Sequence, residues 1–200
     1  MVKRSIVALS AAGVAGLLAV APSSGQQRPW RPLAFYDIPA RGRPALDVSS
    51  PSFRYGGEIP VDDTQYGGNQ FPGLQWTPGP SGTRSYVVLV QDGNVYYFGG
   101  PLLHFTLFNI PTGQTSLPED MSAPPASSHY GPSFHSDTGP YLGPHPTPSQ
   151  RHLYHFEVFA LDEVLPQDIS KIGFTGLRDA MSGHVLASGE TVGSFAAPPS

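Results

Sequence analysis

Residues 85–92, Ser-Tyr-Val-Val-Leu-Val-Gln-Asp, constrain the fold of this chain more than any other segment. The run is apolar and rich in β-branched residues, shows no alternation with polar side chains, and lies between Gly82 and Gly93. Such a run is typical of a β-strand that is buried on both faces. The sequence therefore predicts a sheet whose central strand is covered on each side.

The rest of the chain also favours β-structure. Gly and Pro each occur 23 times and charged residues make up only 13% of the 200 residues, which is typical of a loop-rich, mostly β domain. Further strands are predicted at 46–50, 52–60, 74–78, 103–111 and 152–162. The proline-rich stretch 115–150 is predicted to be one long loop. Helical spacing occurs only in 167–183, where Gly183 provides a stop, and 183–195 closes the domain.

The N-terminal end is typical of an exported protein. Lys3 and Arg4 precede an uncharged apolar run, 6–21, which indicates a signal peptide over 1–25 rather than a permanent membrane anchor. Cleavage after Ala21 and cleavage after Gly25 both remain open. The chain has no cysteine, so a lipid anchor of the lipoprotein kind is not expected. These features predict a periplasmic or secreted protein with no stable membrane span once the signal is removed.

Two segments follow the predicted signal peptide. Residues 26–45, rich in Gln, Pro and Arg, are interpreted as an extended, solvated arm. Residues 46–197 are long enough for a single domain with a real core. The net charge of −4 becomes more negative when Lys3 and Arg4 are removed, which argues against nucleic acid as a partner.

Polar side chains are predicted to gather at the ends of three strands. Side chains two apart on a strand share a face, so His152 and Tyr154 point together at the start of 152–162. His104 starts 103–111, where the same alternation places it with Thr106 and Phe108. Asp92 ends 85–92. Sheet proteins build pockets at such strand ends, and we expect these side chains to form one.

The chemistry of that pocket would suit a small anion. Imidazole and phenol groups donate hydrogen bonds. Gly143 and Pro144 form a bend where backbone N–H groups can face an oxyanion without a blocking Cβ atom. Asp92 cannot bind an anion directly, but it can orient His104 or His152 and hold that ring protonated.

Four segments of the sequence resemble the phosphatidylethanolamine-binding protein family, in its bacterial Raf-kinase-inhibitor-like branch. They are LDVSSPSFRYGGEIP (46–60), GGNQFPGLQWTPGPSGTRSYVVLVQD (67–92), GPYLGPHPTPSQRHLYHFEVFALD (139–162) and AMSGHVLASGETVGSF (180–195). The resemblance implies an antiparallel Greek-key β-sandwich, with a large sheet, a smaller sheet and short C-terminal helices. It also implies a small cavity that takes phosphate, phosphoethanolamine, acetate or similar anions.

The resemblance assigns pocket positions residue by residue. The family's Asp-Pro-Asp-x-Pro motif falls on 92–96, where Asp92 is retained, Asn94 replaces the second Asp and both prolines are missing. We expect this departure to ease anion entry and to leave the turn less stiff. The other matched positions are His104, Gly143, Pro144, His152 and Tyr154.

The rim of the implied pocket also differs from the family pattern. His145 stands where this branch often has cysteine, so His145 and Asn94 are the expected rim residues. Five histidines lie between 129 and 155, but their spacing matches no metal motif and no cysteine assists, so no metal site is predicted.

These features favour a non-catalytic binding protein without a cofactor. Its expected ligand is a small anion or a phospholipid headgroup, and inhibition of a partner enzyme is a further implied role. The alternative is a hydrolase using Asp92, His104 and His152, although no Gly-x-Ser-x-Gly nucleophile motif is present. Members of the branch also form homodimers, which the 115–150 loop could create or block.

Overall fold

The computed structural model describes residues 31–42, 45–97, 100–136 and 138–199, with backbone alone described for 170–172. The predicted signal peptide and the first residues of the predicted arm lie outside these ranges. The described part is a β-sandwich flanked on one side by short helices.

The larger sheet has five antiparallel strands in the order β6-β4-β3-β7-β8. Their bounds are β3 Ser85–Tyr97, β4 Gly100–Pro111, β6 His129–Tyr130, β7 Arg151–Leu161 and β8 Val185–Ala196. The central strand β3 contains the apolar run 85–92, all of which is buried. The prediction of a strand covered on both faces is confirmed.

The smaller sheet packs on one face of the larger one. Its three antiparallel strands have the order β1-β2-β5, with bounds β1 Val48–Ser49, β2 Pro72–Trp76 and β5 Ser116–Glu119. Leu74 and Trp76 from β2 meet Val88, Phe105 and Phe156 from the larger sheet in one buried core. The predicted sandwich of a large and a small antiparallel sheet is confirmed.

Short helices cover the other face of the larger sheet. They are α1 Ala34–Asp37, a 3₁₀ helix Gln167–Ile172 and α2 Gly173–Met181; a further 3₁₀ turn, Val61–Asp63, lies outside this layer. Leu177 and Met181 of α2 pack with Val87 and Phe159 in a second buried core. The helices of 167–181 precede the last strand rather than end the chain, and Gly183 follows α2 with a φ of +81°.

The predicted solvated arm is partly packed in the structure: Arg41, Gly42 and Ala45 are exposed as expected, but an apolar part of it is not. Leu33, Ala34 and Ile38 are buried on the helical face, and the Ala34 N–H donates a 2.8 Å hydrogen bond to Gln91 Oε1. The few apolar residues among the prolines are enough to hold this segment on the sheet. Residues 31–42 are therefore part of the folded protein.

The segment 52–60 is not a strand of its own, which corrects another prediction. Gly56 has a φ of +72° and breaks the extended run. The segment instead lines the outer edge of β8, where the Ile59 N–H donates to Ser194 O at 2.8 Å and the Ser194 N–H donates to Gly57 O at 2.7 Å. Further along β8, the Leu46 N–H donates to Ser188 O at 3.0 Å.

The 115–150 stretch is mostly loop, as predicted, but contributes the short strands β5 and β6. Each adds an outer strand to one of the two sheets. The stretch therefore belongs to the sandwich rather than lying apart from it.

An unusual polar group lies under the helices. Glu157 of β7 is fully buried, and neither of its carboxylate oxygens has a hydrogen-bond partner among the described residues. Burial raises the pKa of Glu157 well above its ordinary value, and the charge of Glu190, its cross-strand neighbour, raises it further. Burial therefore favours the neutral carboxyl over the carboxylate, although the Phe35 backbone and the charge of Arg178 act in the opposite direction.

Replacing Glu157 by Gln should change how stability depends on pH. Above pH 4.5, the ordinary pKa of the group, the folded protein holds a proton that the unfolded chain releases. The contribution of Glu157 to the free energy of unfolding is complete below pH 4.5. It is lost as the pH rises towards the raised pKa that Glu157 has in the folded protein, by up to about 1.4 kcal/mol per pH unit. Urea unfolding between about pH 5 and about pH 7 should show wild type losing stability relative to Glu157→Gln. Glu58→Gln, at an exposed position, serves as the control, and parallel curves would contradict the assignment.

Candidate functional site

The structure brings Asp92, His104, His152 and Tyr154 to one cavity of about 310 Å³, here called the histidine cavity. Asp92 of β3 lies directly opposite Tyr154 of β7 in the strand register. His104 comes from β4, on the other side of β3, so three adjacent strands supply the four side chains. All four are buried.

Asp92 does not end its strand as predicted, because β3 continues to Tyr97; it organises the irregular stretch of β3 that follows the last residue paired with β7. One carboxylate oxygen, Oδ1, accepts hydrogen bonds from the backbone N–H of Asn94 at 2.8 Å and of Val95 at 3.2 Å. Side-chain acceptance of N–H groups two and three residues ahead is the usual way an Asp fixes a turn. The turn therefore receives from Asp92 the constraint that the missing prolines would have supplied.

The other oxygen of Asp92 pairs with His152. Oδ2 lies 2.7 Å from His152 Nδ1, and the second ring nitrogen, Nε2, lies 3.1 Å from Gln150 Oε1. Both ring nitrogens therefore lie within hydrogen-bond distance of side-chain oxygens. His152 is thus engaged with protein atoms, and Gln150 must move before His152 can donate directly to a ligand.

A β-bulge aims His104 into the cavity. Phe105 pairs with Val90 and Leu103 pairs with Gln91, which leaves His104 as an extra residue without a partner on β3. Bulges of this kind redirect a side chain. The expected shared face of His104 and Phe108 is therefore wrong, because Phe108 packs in the core beneath the helices.

The hydrogen bond of His104 decides which ring nitrogen carries the proton. Nδ1 lies 2.8 Å from the carbonyl oxygen of Leu142, so Nδ1 donates there. Burial lowers the pKa of His104 below its ordinary 6.5 and favours the neutral ring. Nε2 then presents a lone pair, and it has no partner among the described residues.

Tyr154 presents the complementary group. Its ring meets the ring of His104 in a T-shaped contact with centroids 5.3 Å apart. Burial, assisted by the charge of Asp92, raises the pKa of Tyr154, so the phenol keeps its proton as a donor. The hydroxyl is buried and, within the described ranges, has no well-aligned hydrogen bond, although the Asp92 carboxylate and the His145 backbone lie close enough to act on its pKa.

Gly143 and Pro144 stand behind the cavity rather than lining it. The Gly143 N–H donates to Asn69 Oδ1 at 2.7 Å, so it does not face the cavity as expected. A Cβ atom at this position would lie 2.4 Å from the carbonyl oxygen of Asp63, which explains the glycine. Gln65 completes the support by donating to the Gly143 carbonyl at 2.8 Å.

The two expected rim residues have different roles. His145 lines the histidine cavity and is exposed, with its ring stacked on Tyr66 at 4.7 Å between centroids. Asn94 instead accepts the Leu153 N–H at 2.8 Å and ties the end of β3 to β7.

Several cavity residues were missed by sequence reasoning. They are Gln65, Val95, Leu102, Phe134, His135, Pro146, Thr147 and Gln150. The density of histidines between 129 and 155 was a signal for His135, but nothing in the pattern singled out Phe134 or Gln65.

The arrangement gives no support to hydrolase chemistry or to a metal centre. His152 is bonded to Asp92 and Gln150 rather than to a hydroxyl nucleophile. In the part of the chain that the structure describes, no three His, Asp or Glu side chains are grouped to hold a metal ion.

A profile of the family described as "Phosphatidylethanolamine-binding protein" matches residues 49–196. The chain belongs to the phosphatidylethanolamine-binding protein family. Two relatives are a "UPF0098 protein" of Chlamydia pneumoniae, 30% identical over 75% of this chain and 98% of the relative, and a "UPF0098 protein" of Methanothermobacter thermautotrophicus, 32% identical over 75% and 98%. A "Putative lipoprotein LppC" of Mycobacterium tuberculosis is 31% identical over 78% of this chain and 75% of the relative.

Solved structures of the family share the fold. A phosphatidylethanolamine-binding protein homologue from Chlamydia trachomatis, CT736, matches with a TM-score of 0.68 and 28% identity over 77% of this chain and 99% of the other. YbcL of E. coli matches with a TM-score of 0.70 over 78% and 100%, at 23% identity, which supports the fold alone. Across the described ranges, no helix is long and apolar enough to cross a membrane.

Replacing Asp92 by Asn should destabilise the protein by about 1–3 kcal/mol, because it replaces a buried carboxylate that faces His152 Nδ1 and two backbone N–H groups by an amide of the same size. Asp62→Asn, at an exposed position, is the matched control and should change the urea midpoint little. Indistinguishable midpoints for the two variants would show that the Asp92–His152 pair does not hold the end of β3.

Proposed function

We propose that this member of the family is a non-catalytic, exported binding protein for a small oxyanion of the phosphate or phosphomonoester type. The supporting observation is the pair of buried polar atoms without protein partners, Tyr154 Oη and His104 Nε2, on rings that line the same cavity. Buried polar groups are nearly always hydrogen-bonded, and a ligand bound between these two rings would satisfy both atoms at once.

The electrostatics of the cavity are compatible with an anion despite Asp92. Both Asp92 oxygens are occupied by protein groups: Oδ1 accepts from the Asn94 N–H, and Oδ2 lies 2.7 Å from His152 Nδ1. An oxyanion therefore meets the Tyr154 O–H as a donor and the His104 ring at Nε2.

The state of His104 makes the proposed binding depend on protons. A lone pair at Nε2 repels a bare oxyanion oxygen but accepts a hydrogen bond from a P–OH group. The complex therefore needs one proton, carried by the phosphate or taken up by His104. A phosphomonoester, with a second pKa of about 6, can supply it near neutral pH.

Export and an inhibitory role are proposed on other grounds. The predicted signal peptide and the lipoprotein name of the mycobacterial relative support export. Inhibition of a partner enzyme is a prediction from the family resemblance alone.

Tyr154→Phe tests the donor role in the histidine cavity. Loss of a hydrogen bond to a charged ligand should weaken binding of methyl phosphate about 10–100-fold in calorimetric titrations. Tyr130→Phe is a matched control, because the Tyr130 hydroxyl is also buried and unpartnered within the described residues but lies outside the cavity. Equal affinities of Tyr154→Phe and wild type would overturn the assignment.

Binding of methyl phosphate should also weaken with rising pH. Above about pH 6.5 both the free ligand and the free His104 have lost the proton that the complex needs, so affinity should fall about tenfold per pH unit. The slope is measured by titration across about pH 6 to 8.5. In His104→Gln, whose amide can donate without a proton change, the slope should flatten. A pH-independent affinity in wild type would exclude the proposed role of His104.

A further inference from the structure

A second hollow adjoins the histidine cavity. It has a volume of about 230 Å³, lies between the start of β4, the 132–134 loop and the start of α2, and is here called the Phe174 cavity. Leu102 and Phe134 line both cavities. The two hollows therefore adjoin at these two side chains, with the start of β4 between them.

The Phe174 cavity has an apolar wall and matched charges. Leu103 and Phe174 supply apolar surface, and the Arg178 guanidinium stacks over the Phe174 ring at 4.8 Å. Arg178 Nε lies 3.4 Å from Asp37 Oδ2, and Arg178 also donates to the Pro32 carbonyl.

The second cation of the Phe174 cavity is also balanced. Arg31 lies 3.6 Å from Asp37 and 3.3 Å from Asp179. With each guanidinium facing a carboxylate, the cavity offers no excess positive charge to a second anion. It suits hydrocarbon.

Phe134 borders both cavities. Its ring meets the His104 ring in a T-shaped contact at 5.2 Å, and its backbone N–H donates to Leu103 O at 2.9 Å. A ligand bonded to His104 Nε2 therefore lies close to the ring that borders the Phe174 cavity.

We propose that the ligand is an alkyl or aryl phosphomonoester, with its phosphate in the histidine cavity and its hydrocarbon group in the Phe174 cavity, passing Leu102 and Phe134. The assignment of the hydrocarbon subsite rests on the proposed function of the histidine cavity. At ~30 Å³ for a water-sized group, a volume of about 230 Å³ holds roughly seven such groups, the size of a six-carbon chain or a phenyl ring.

A homologous series of ligands tests the subsite. Calorimetric titration of the full protein with methyl, butyl and hexyl phosphate should show affinity rising with chain length. A fully buried methylene contributes about fourfold, so even partial burial of the chain should give hexyl phosphate at least a ~30-fold advantage over methyl phosphate.

A variant that fills the Phe174 cavity should remove that advantage. Thr175 is exposed on α2 and lines the Phe174 cavity but not the histidine cavity. Thr175→Trp should bind methyl phosphate like wild type and lose most of the gain with hexyl phosphate. Asp168→Trp, an exposed position outside both cavities, should retain the full gain.

The outcomes separate the two proposals. If methyl phosphate binds but hexyl phosphate binds within ~3-fold of it, the hydrocarbon subsite is wrong while the anion site stands. If the gain survives Thr175→Trp, the chain lies elsewhere and the subsite is again overturned. If no ligand of the series binds wild type, the anion site itself fails and the subsite falls with it.

Discussion

The carboxylate of Asp92 is the group on which the site depends. Its two oxygens hold two different things: one fixes the backbone turn at Asn94 and Val95, and the other holds His152. Because the pair is buried, neither set of bonds is weakened by competing water. The Asp92 carboxylate thus determines both the backbone conformation at 94–95 and the orientation of the His152 ring. The two hydrogen bonds that Asp92 accepts from Asn94 and Val95 explain how this backbone stretch stays ordered without the two prolines of the family motif.

Strand periodicity was enough to predict much of the fold and the gathering of the site. The uninterrupted run at 85–92 fixed the central strand, and the spacing of His152 and Tyr154 correctly placed them on one face. The bulge at His104 could not be predicted from the sequence. The extra residue results from how β4 pairs with β3, and it does not change the pattern of polar and apolar residues along β4. The direction of the Gly143 N–H was equally hidden, since it depends on Asn69, which lies 74 residues earlier in the chain.

The prediction of a solvated arm over 26–45 departs from the structure for a different reason, whereas the helix predicted in 167–183 is present. Leu33, Ala34 and Ile38 are too few and too scattered to produce a periodic signal in the sequence. They nevertheless hold the segment in place by packing against the larger sheet. Residues 31–42 also lie outside the region matched by the family profile. Tertiary contact, rather than local propensity, determines this segment, and it covers the face of β7 opposite the histidine cavity. One strand thus carries the site on one face and a buried neutral acid on the other.

The bonds along the outer edge of β8 restrict how copies of this protein could associate. An exposed strand border is a template on which another chain can continue a sheet. Here the backbone groups of Ser188 and Ser194 are already taken by Leu46, Gly57 and Ile59 of the same molecule. Pairing two molecules through this edge of β8 would first require each molecule to break these backbone hydrogen bonds. An assembly that leaves the fold intact therefore cannot continue the larger sheet through this border of β8.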